Sequence, residues 1–163
     1  MKKAVDTNVA IVANGRHGEY DPNCRLACIE ALRALTSGGI AVMDSGRYML
    51  SEYRRYLHPR GQPGVGDYFY RHLLDHAANP KHVHKVDVAC NLDGHSAEFP
   101  DDPELAGFDL SDRVCATVAM KSGAPVLNAV DSDWLIHQDA LARHGIVVEF
   151  LCGAPPKKGS RKE

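Results

Sequence analysis

Nowhere does the 163-residue chain string together the ~20 apolar residues that a membrane-spanning helix needs, so a helical membrane protein is excluded. Excess positive charge is also missing. Lys and Arg total 19 against 21 for Asp and Glu, a net charge of −2, which excludes a generally basic nucleic-acid coat. The five cysteines are odd in number and share no spacing, so a disulfide framework is not expected and a reducing cytoplasm is the default compartment. The opening Met-Lys-Lys-Ala-Val-Asp reaches charge too soon for a secretory signal. Internal repeats are absent. With 44% hydrophobic and 25% charged residues, the composition is that of one ordinary globular domain, and wholesale disorder is excluded.

Charge is unevenly placed. Residues 153–163 carry Lys157, Lys158, Arg161 and Lys162 against Glu163, a local +3 that leaves −5 for the body. The expected organisation is one domain over 1–152 and a flexible basic tail over 153–163. A nucleic-acid partner would have to meet a local basic patch, or metal ions held by the surplus carboxylates.

Short apolar runs alternate with helical patterns. Ala4-Val5, Ile40 to Met43, His82 to Val88, Pro125 to Leu127 and Ile146 to Leu151 read as five strands. Between them, helices are expected at Val9 to Ala13, after Asp21-Pro22, and over Gly46 to Leu57. Three more are expected over Asp67 to Ala78, Ser111 to Lys121 and Trp134 to Arg143. The helix after Pro22 carries Cys24, Ala27, Cys28, Ala31, Leu32 and Leu35 on one stripe. His58-Pro59 through Gly66 is a Pro/Gly loop, and the long polar stretch from Asn91 to Phe108 is a functional loop or holds a short helix. This order implies an α/β domain with a five-stranded, mainly parallel sheet covered by helices on both faces.

In such sheets ligands bind beyond the carboxyl ends of the strands. Asp6 ends the first strand, Asp131 and Asp133 follow the fourth, and Asp112 opens the Ala-rich helix before it. Singly, Asp6, Asp112 and Asp133 also make sense as helix-terminal acids, with Asp133 the N-cap of the helix at Trp134. Asp131 is then left over. Glu52 falls among Tyr48, Met49, Tyr53, Tyr56 and Leu57 on the apolar face of its helix, where a carboxylate needs a cation or a metal. The alternative is a helix-edge Glu paired with Arg55. Four acids gathered at one sheet edge repel one another unless divalent cations neutralise them, and an all-oxygen set selects Mg²⁺ or Mn²⁺.

Four motifs, VDTNV at 5–9, SEY at 51–53, SDRVCATVAMKSGAPV at 111–126 and DSDW at 131–134, together resemble the PIN-domain nucleases, particularly the small toxin-type ribonucleases. Their order and spacing cover the body from Ala4 to about Leu151. The resemblance implies a single PIN-like domain that cleaves single-stranded RNA with Mg²⁺ or Mn²⁺, often masked by a partner antitoxin, and it leaves room for a homodimer. It makes Asp6, Glu52, Asp112 and Asp131 the catalytic metal-binding acids and Asp133 an auxiliary metal acid or a cap. Thr7 and Asn8 would shape the site. Ala129 stands where the family often has Thr, and the 91–108 stretch is longer than in compact members.

Arg47, Arg54, Arg55, Arg60 and Arg71 are the candidate phosphate-binding surface, Arg54 and Arg55 first among them. Cys24 and Cys28 are expected as core, and His82 with His84 as an exposed strand pair. His72 and His76 share a helix face but lack the Glu of a His-Glu-x-x-His zinc motif. Most of the tyrosines are expected as core. A phosphatase-type hydrolase would want Asp where Asn8 stands. A non-catalytic nucleic-acid or protein-binding module on the same fold is the alternative reading.

Overall fold

A computed structural model describes residues 1–15 and 20–153, so of the tail expected over 153–163 only Gly153 lies within the described residues. Five strands form one sheet: β1 Lys2–Val5, β2 Ile40–Asp44, β3 Val83–Val86, β4 Val126–Asn128 and β5 Val148–Phe150. Their order is β3-β2-β1-β4-β5, and every pairing is parallel. The helices are α1 Thr7–Asn14, α2 Pro22–Ser37, α3 Tyr48–Arg54, α4 Val65–His76, α5 Arg113–Ser122, α6 Ser132–Ile136 and α7 Gln138–Arg143. Helices α1, α2 and α4 pack on one another, while α5 crosses β1, β2 and β3. The α/β class expected from the alternation of elements is the observed one.

Chain direction makes the ends of β1 and β4 special. The chain builds outward from β1 through β2 to β3, then returns to place β4 and β5 on the other side. A crevice opens where the order reverses, beyond the carboxyl ends of β1 and β4. Ala4 pairs with Val126 and Val5 with Leu127, so Asp6 and the residues after Asn128 emerge side by side.

Helix α1 meets α4 almost backbone to backbone. A Cβ on Gly66 would lie 2.1 Å from the Ala10 carbonyl oxygen. Asn14 closes the crossing: its Oδ1 accepts from Asp67 N at 3.1 Å and its Nδ2 donates to Asp67 Oδ1 at 3.0 Å. The buried Asp67 carboxylate also takes the amides of His58 and Gly64, which ties the Pro/Gly loop to the helix.

Several sequence expectations are corrected. The helix foreseen over 134–143 is two, broken at His137, whose ring Nδ1 bonds back to the Asp133 carbonyl at 2.9 Å. Its N-cap is Asp131 rather than Asp133: Asp131 Oδ1 accepts from Asp133 N at 2.9 Å. The 91–108 stretch does contain a short helix, the 3₁₀ turn Pro103–Leu105, as one of its two expected forms. Arg113 donates to the carbonyls of Leu105, Ala106 and Phe108, and Phe99 stacks on Phe108. His82 precedes β3 and packs its ring against His72 and His76, because α4 ends directly beside it; His84 turns elsewhere, to Lys2. Cys24 and Cys152 are joined in a disulfide across 128 residues, since the end of β5 returns to the start of α2. That bond removes the odd-cysteine argument for a reducing compartment. Among the described residues no helix is long and apolar enough to cross a membrane.

Gly66→Ala should cost about 3 kcal/mol of stability, because the new methyl group would have to displace α1 backbone. Urea titration followed by circular dichroism measures it, and an unchanged midpoint would mean that the two helices separate freely.

Candidate metal centre

The first acid is placed by the shortest route. β1 ends at Val5, so Asp6 stands at the crevice, N-capping α1 with its Oδ1 accepting from Thr7 N at 3.0 Å. Its Oδ2 accepts from Trp134 Nε1 at 3.1 Å and from Asn8 Nδ2. Asn8 is fully committed. Its second Nδ2 proton goes to Asn128 Oδ1 at 2.9 Å, and its Oδ1 takes the amides of Ala129 and Val130. Asn128 in turn donates to the Asp131 carbonyl at 3.0 Å, so one amide chain runs from Asp6 to Asp131. Asn8 and Thr7 therefore brace the site from within.

The third acid arrives on a one-turn 3₁₀ segment, Leu110–Asp112, at the foot of α5. Asp109 caps that turn by accepting from Ser111 N, while the Asp109 amide donates to Asp133 Oδ2 at 2.8 Å. Asp133 is thus spent on holding the Asp112 turn, with its other oxygen 3.3 Å from His137 Nδ1.

Asp6, Asp112 and Asp131 offer carboxylate oxygens that all lie within 4.8 Å of one another. Asp6 and Asp112 are buried, and Oδ2 of Asp112 has no hydrogen-bond partner among the described residues. Burial, with the charge of Asp131 added, raises the Asp6 carboxyl to about 6 despite its three donors. Burial first, then Asp6 and Asp131, push the Asp112 carboxyl far higher still. Without a cation these groups hold protons where ordinary carboxylates have lost them.

Glu52 stands apart from this triad. It lines a cavity of about 420 Å³ together with Asp6, Thr7, Tyr48, Arg55, His95 and Ser111. Its side chain is 31% exposed and its Oε2 lies 3.5 Å from Arg55 Nη1, the helix-edge pairing foreseen as the alternative. The reason is the turn of α3. Met49, Leu50 and Tyr53 form the buried face, while Tyr48 and Tyr56 are exposed and Glu52 lies toward them. Tyr53 fixes this orientation by donating from its hydroxyl to the Val5 carbonyl at 2.6 Å, one residue before Asp6. Arg55 reaches the cavity. Arg54 lines a separate recess with Arg47, Pro59 and Tyr70, and Arg71 is paired with Asp75.

Sequence reasoning missed Trp134 and Asn128 as parts of the site. The chain's single tryptophan, directly after an Asp-x-Asp pair, was the available signal. Asn128 reads only as the polar end of a strand. No family model matches the chain, and neither a curated protein nor a solved structure matches it.

The acids carry a pH signature. The unfolded chain releases these protons near 3.8 and the folded, metal-free protein releases the Asp6 proton only near 6 and the Asp112 proton well above that. The folded state therefore holds more protons across that interval, so its stability falls as pH rises from about 4. Thermal melts in EDTA should show this decline, and Asp112→Asn, which keeps the shape without the charge, should flatten it. A wild-type melting temperature that instead rises steadily from pH 4 to 6 in EDTA would mean the carboxylates are not crowded.

Proposed function

We propose that the protein is a metal-dependent nuclease that hydrolyses phosphodiester bonds of single-stranded RNA at the Asp6–Asp112–Asp131 cluster. The observation that carries this reading is the convergence of three carboxylates with one buried oxygen of Asp112 left without a donor among the described residues. An all-oxygen, anionic set with a spare lone pair suits a hard divalent cation, Mg²⁺ or Mn²⁺. Asp6, Asp112 and Asp131 would hold it. When bound, such an ion supplies Lewis-acid stabilisation of phosphate charge and lowers the pKa of water.

The chain's own groups supply position. Trp134, Asn8 and the Thr7 amide fix the Asp6 carboxylate, and Asp133 fixes the turn that presents Asp112. Glu52, on the cavity wall beside Asp6, is placed to orient a water molecule or accept its proton. Arg55 and the exposed Tyr48 at the same cavity suit a phosphate and a stacked, unpaired base. RNA as the substrate follows from the resemblance of the four motifs. The N-cap duty of Asp131 also fits a non-catalytic module, in which the acids serve only the fold.

Cleavage of a mixed single-stranded RNA pool should appear with Mn²⁺ or Mg²⁺ and vanish with EDTA. Asp112→Asn, prepared identically, should lose at least ~100-fold of that activity. Cleavage that survives chelation, or that Asp112→Asn performs as well as wild type, would end the nuclease reading and leave the module.

A further inference from the structure

Three sulfur atoms meet where the end of β5 returns to the start of α2. Cys24 and Cys28 stand one turn apart on α2, and Cys152 follows β5. Their sulfurs all lie within 4.8 Å of one another. Cys24 and Cys152 are disulfide-bonded, and the free Cys28 Sγ lies 3.9 Å from Cys152 Sγ, fully buried. A structural disulfide needs two cysteines, so the third has no duty in it.

We propose that Cys24, Cys28 and Cys152 form a redox-gated site for a thiophilic cation, Zn²⁺ being the natural occupant. In the oxidised state the site is a disulfide beside one thiol. A dithiol reductant transfers two electrons and two protons to the Cys24–Cys152 bond, leaving itself as a cyclic disulfide and the protein with three thiols. Binding of the cation then releases the thiol protons to solvent and gives three thiolate ligands. Geometry supports this. Tetrahedral thiolates at about 2.3 Å from Zn²⁺ stand about 3.8 Å apart, close to the present Cys28–Cys152 separation. An i, i+4 pair on a helix with a third ligand from a distant strand is a chelate that only the folded chain can make. Soft sulfur donors prefer Zn²⁺ or Cu⁺, where the acidic triad prefers Mg²⁺ or Mn²⁺, so the two sites take different ions.

The discriminating probe is Co²⁺ added to full-length protein that has been reduced with a phosphine and kept without oxygen. One equivalent should produce the intense near-ultraviolet thiolate-to-cobalt charge-transfer band, and Zn²⁺ should abolish it. The oxidised protein should give no band. Cys28→Ser, which leaves the disulfide pair intact, should bind Co²⁺ at least about tenfold more weakly after reduction. Asp112→Asn should keep the band unchanged, since carboxylates give no such transition, so this result stands or falls apart from the nuclease reading. Absence of the band in reduced wild type, or a band that Cys28→Ser retains at full affinity, overturns the proposal and makes Cys28 a core residue. If reduction melts the fold, Zn²⁺ should restore the far-ultraviolet circular dichroism spectrum, and failure to do so also overturns it.

Discussion

Gathering carboxyl groups into one crevice is the demand around which this small fold is arranged. Three carboxyl groups at the ends of β1 and β4 and the foot of α5 would separate if any of their supports were soft. Asp6 and Asp131 are each held by more than one hydrogen bond, and Asp112 is presented by the turn that Asp109 and Asp133 hold. The amide chain Asn8–Asn128–Asp131 locks the two strand ends together, and Trp134 reaches back to Asp6 from the helix that Asp131 caps. Trp134 is itself held by Phe108, which stacks on Phe99 under the Arg113 guanidinium. The long irregular stretch before α5 thus belongs to the site's foundations, and Ser96, bonded to Thr117 at 2.7 Å, ties it to α5.

What could be read in the residues and what could not follows from the range of the forces involved. Asp6 and Asp131 were legible because a short apolar strand running into an acid fixes its place in a parallel sheet. The sequence sets Asp131 apart by making Asp133 the helix cap, whereas the helix begins two residues earlier and Asp131 is itself the cap. Glu52 is expected within the acid cluster but stands outside it on the cavity wall, because α3 buries the face of Met49, Leu50 and Tyr53 and leaves Glu52 on the flank beside Arg55. Long-range pairings were invisible. Nothing near Cys24 announces Cys152, and its apolar stripe argued for core; His82 joins His72 and His76 only because α4 stops where β3 begins. Trp134 passed as an ordinary helix residue since its hydrogen bond spans 128 positions.

Two kinds of donor are segregated in one short chain. Oxygen ligands collect at the strand reversal, where backbone amides are already oriented toward negative charge. Sulfur atoms collect where the last strand returns to α2, among apolar neighbours that give hard ions no hydration. Were both proposed sites to take ions, such separation would let a single domain discriminate cations by ligand softness with no need for unusual affinity.

The position of Trp134 has an optical consequence. It is the chain's only indole, it is wholly buried, and its N–H points at the carboxylate that β1 delivers to the crevice. Indole emission depends on local field and on the state of its N–H partner. Light emitted by this protein on excitation beyond the tyrosine absorption band therefore originates at one place, beside Asp6, and reports the charge there without a label or a dye.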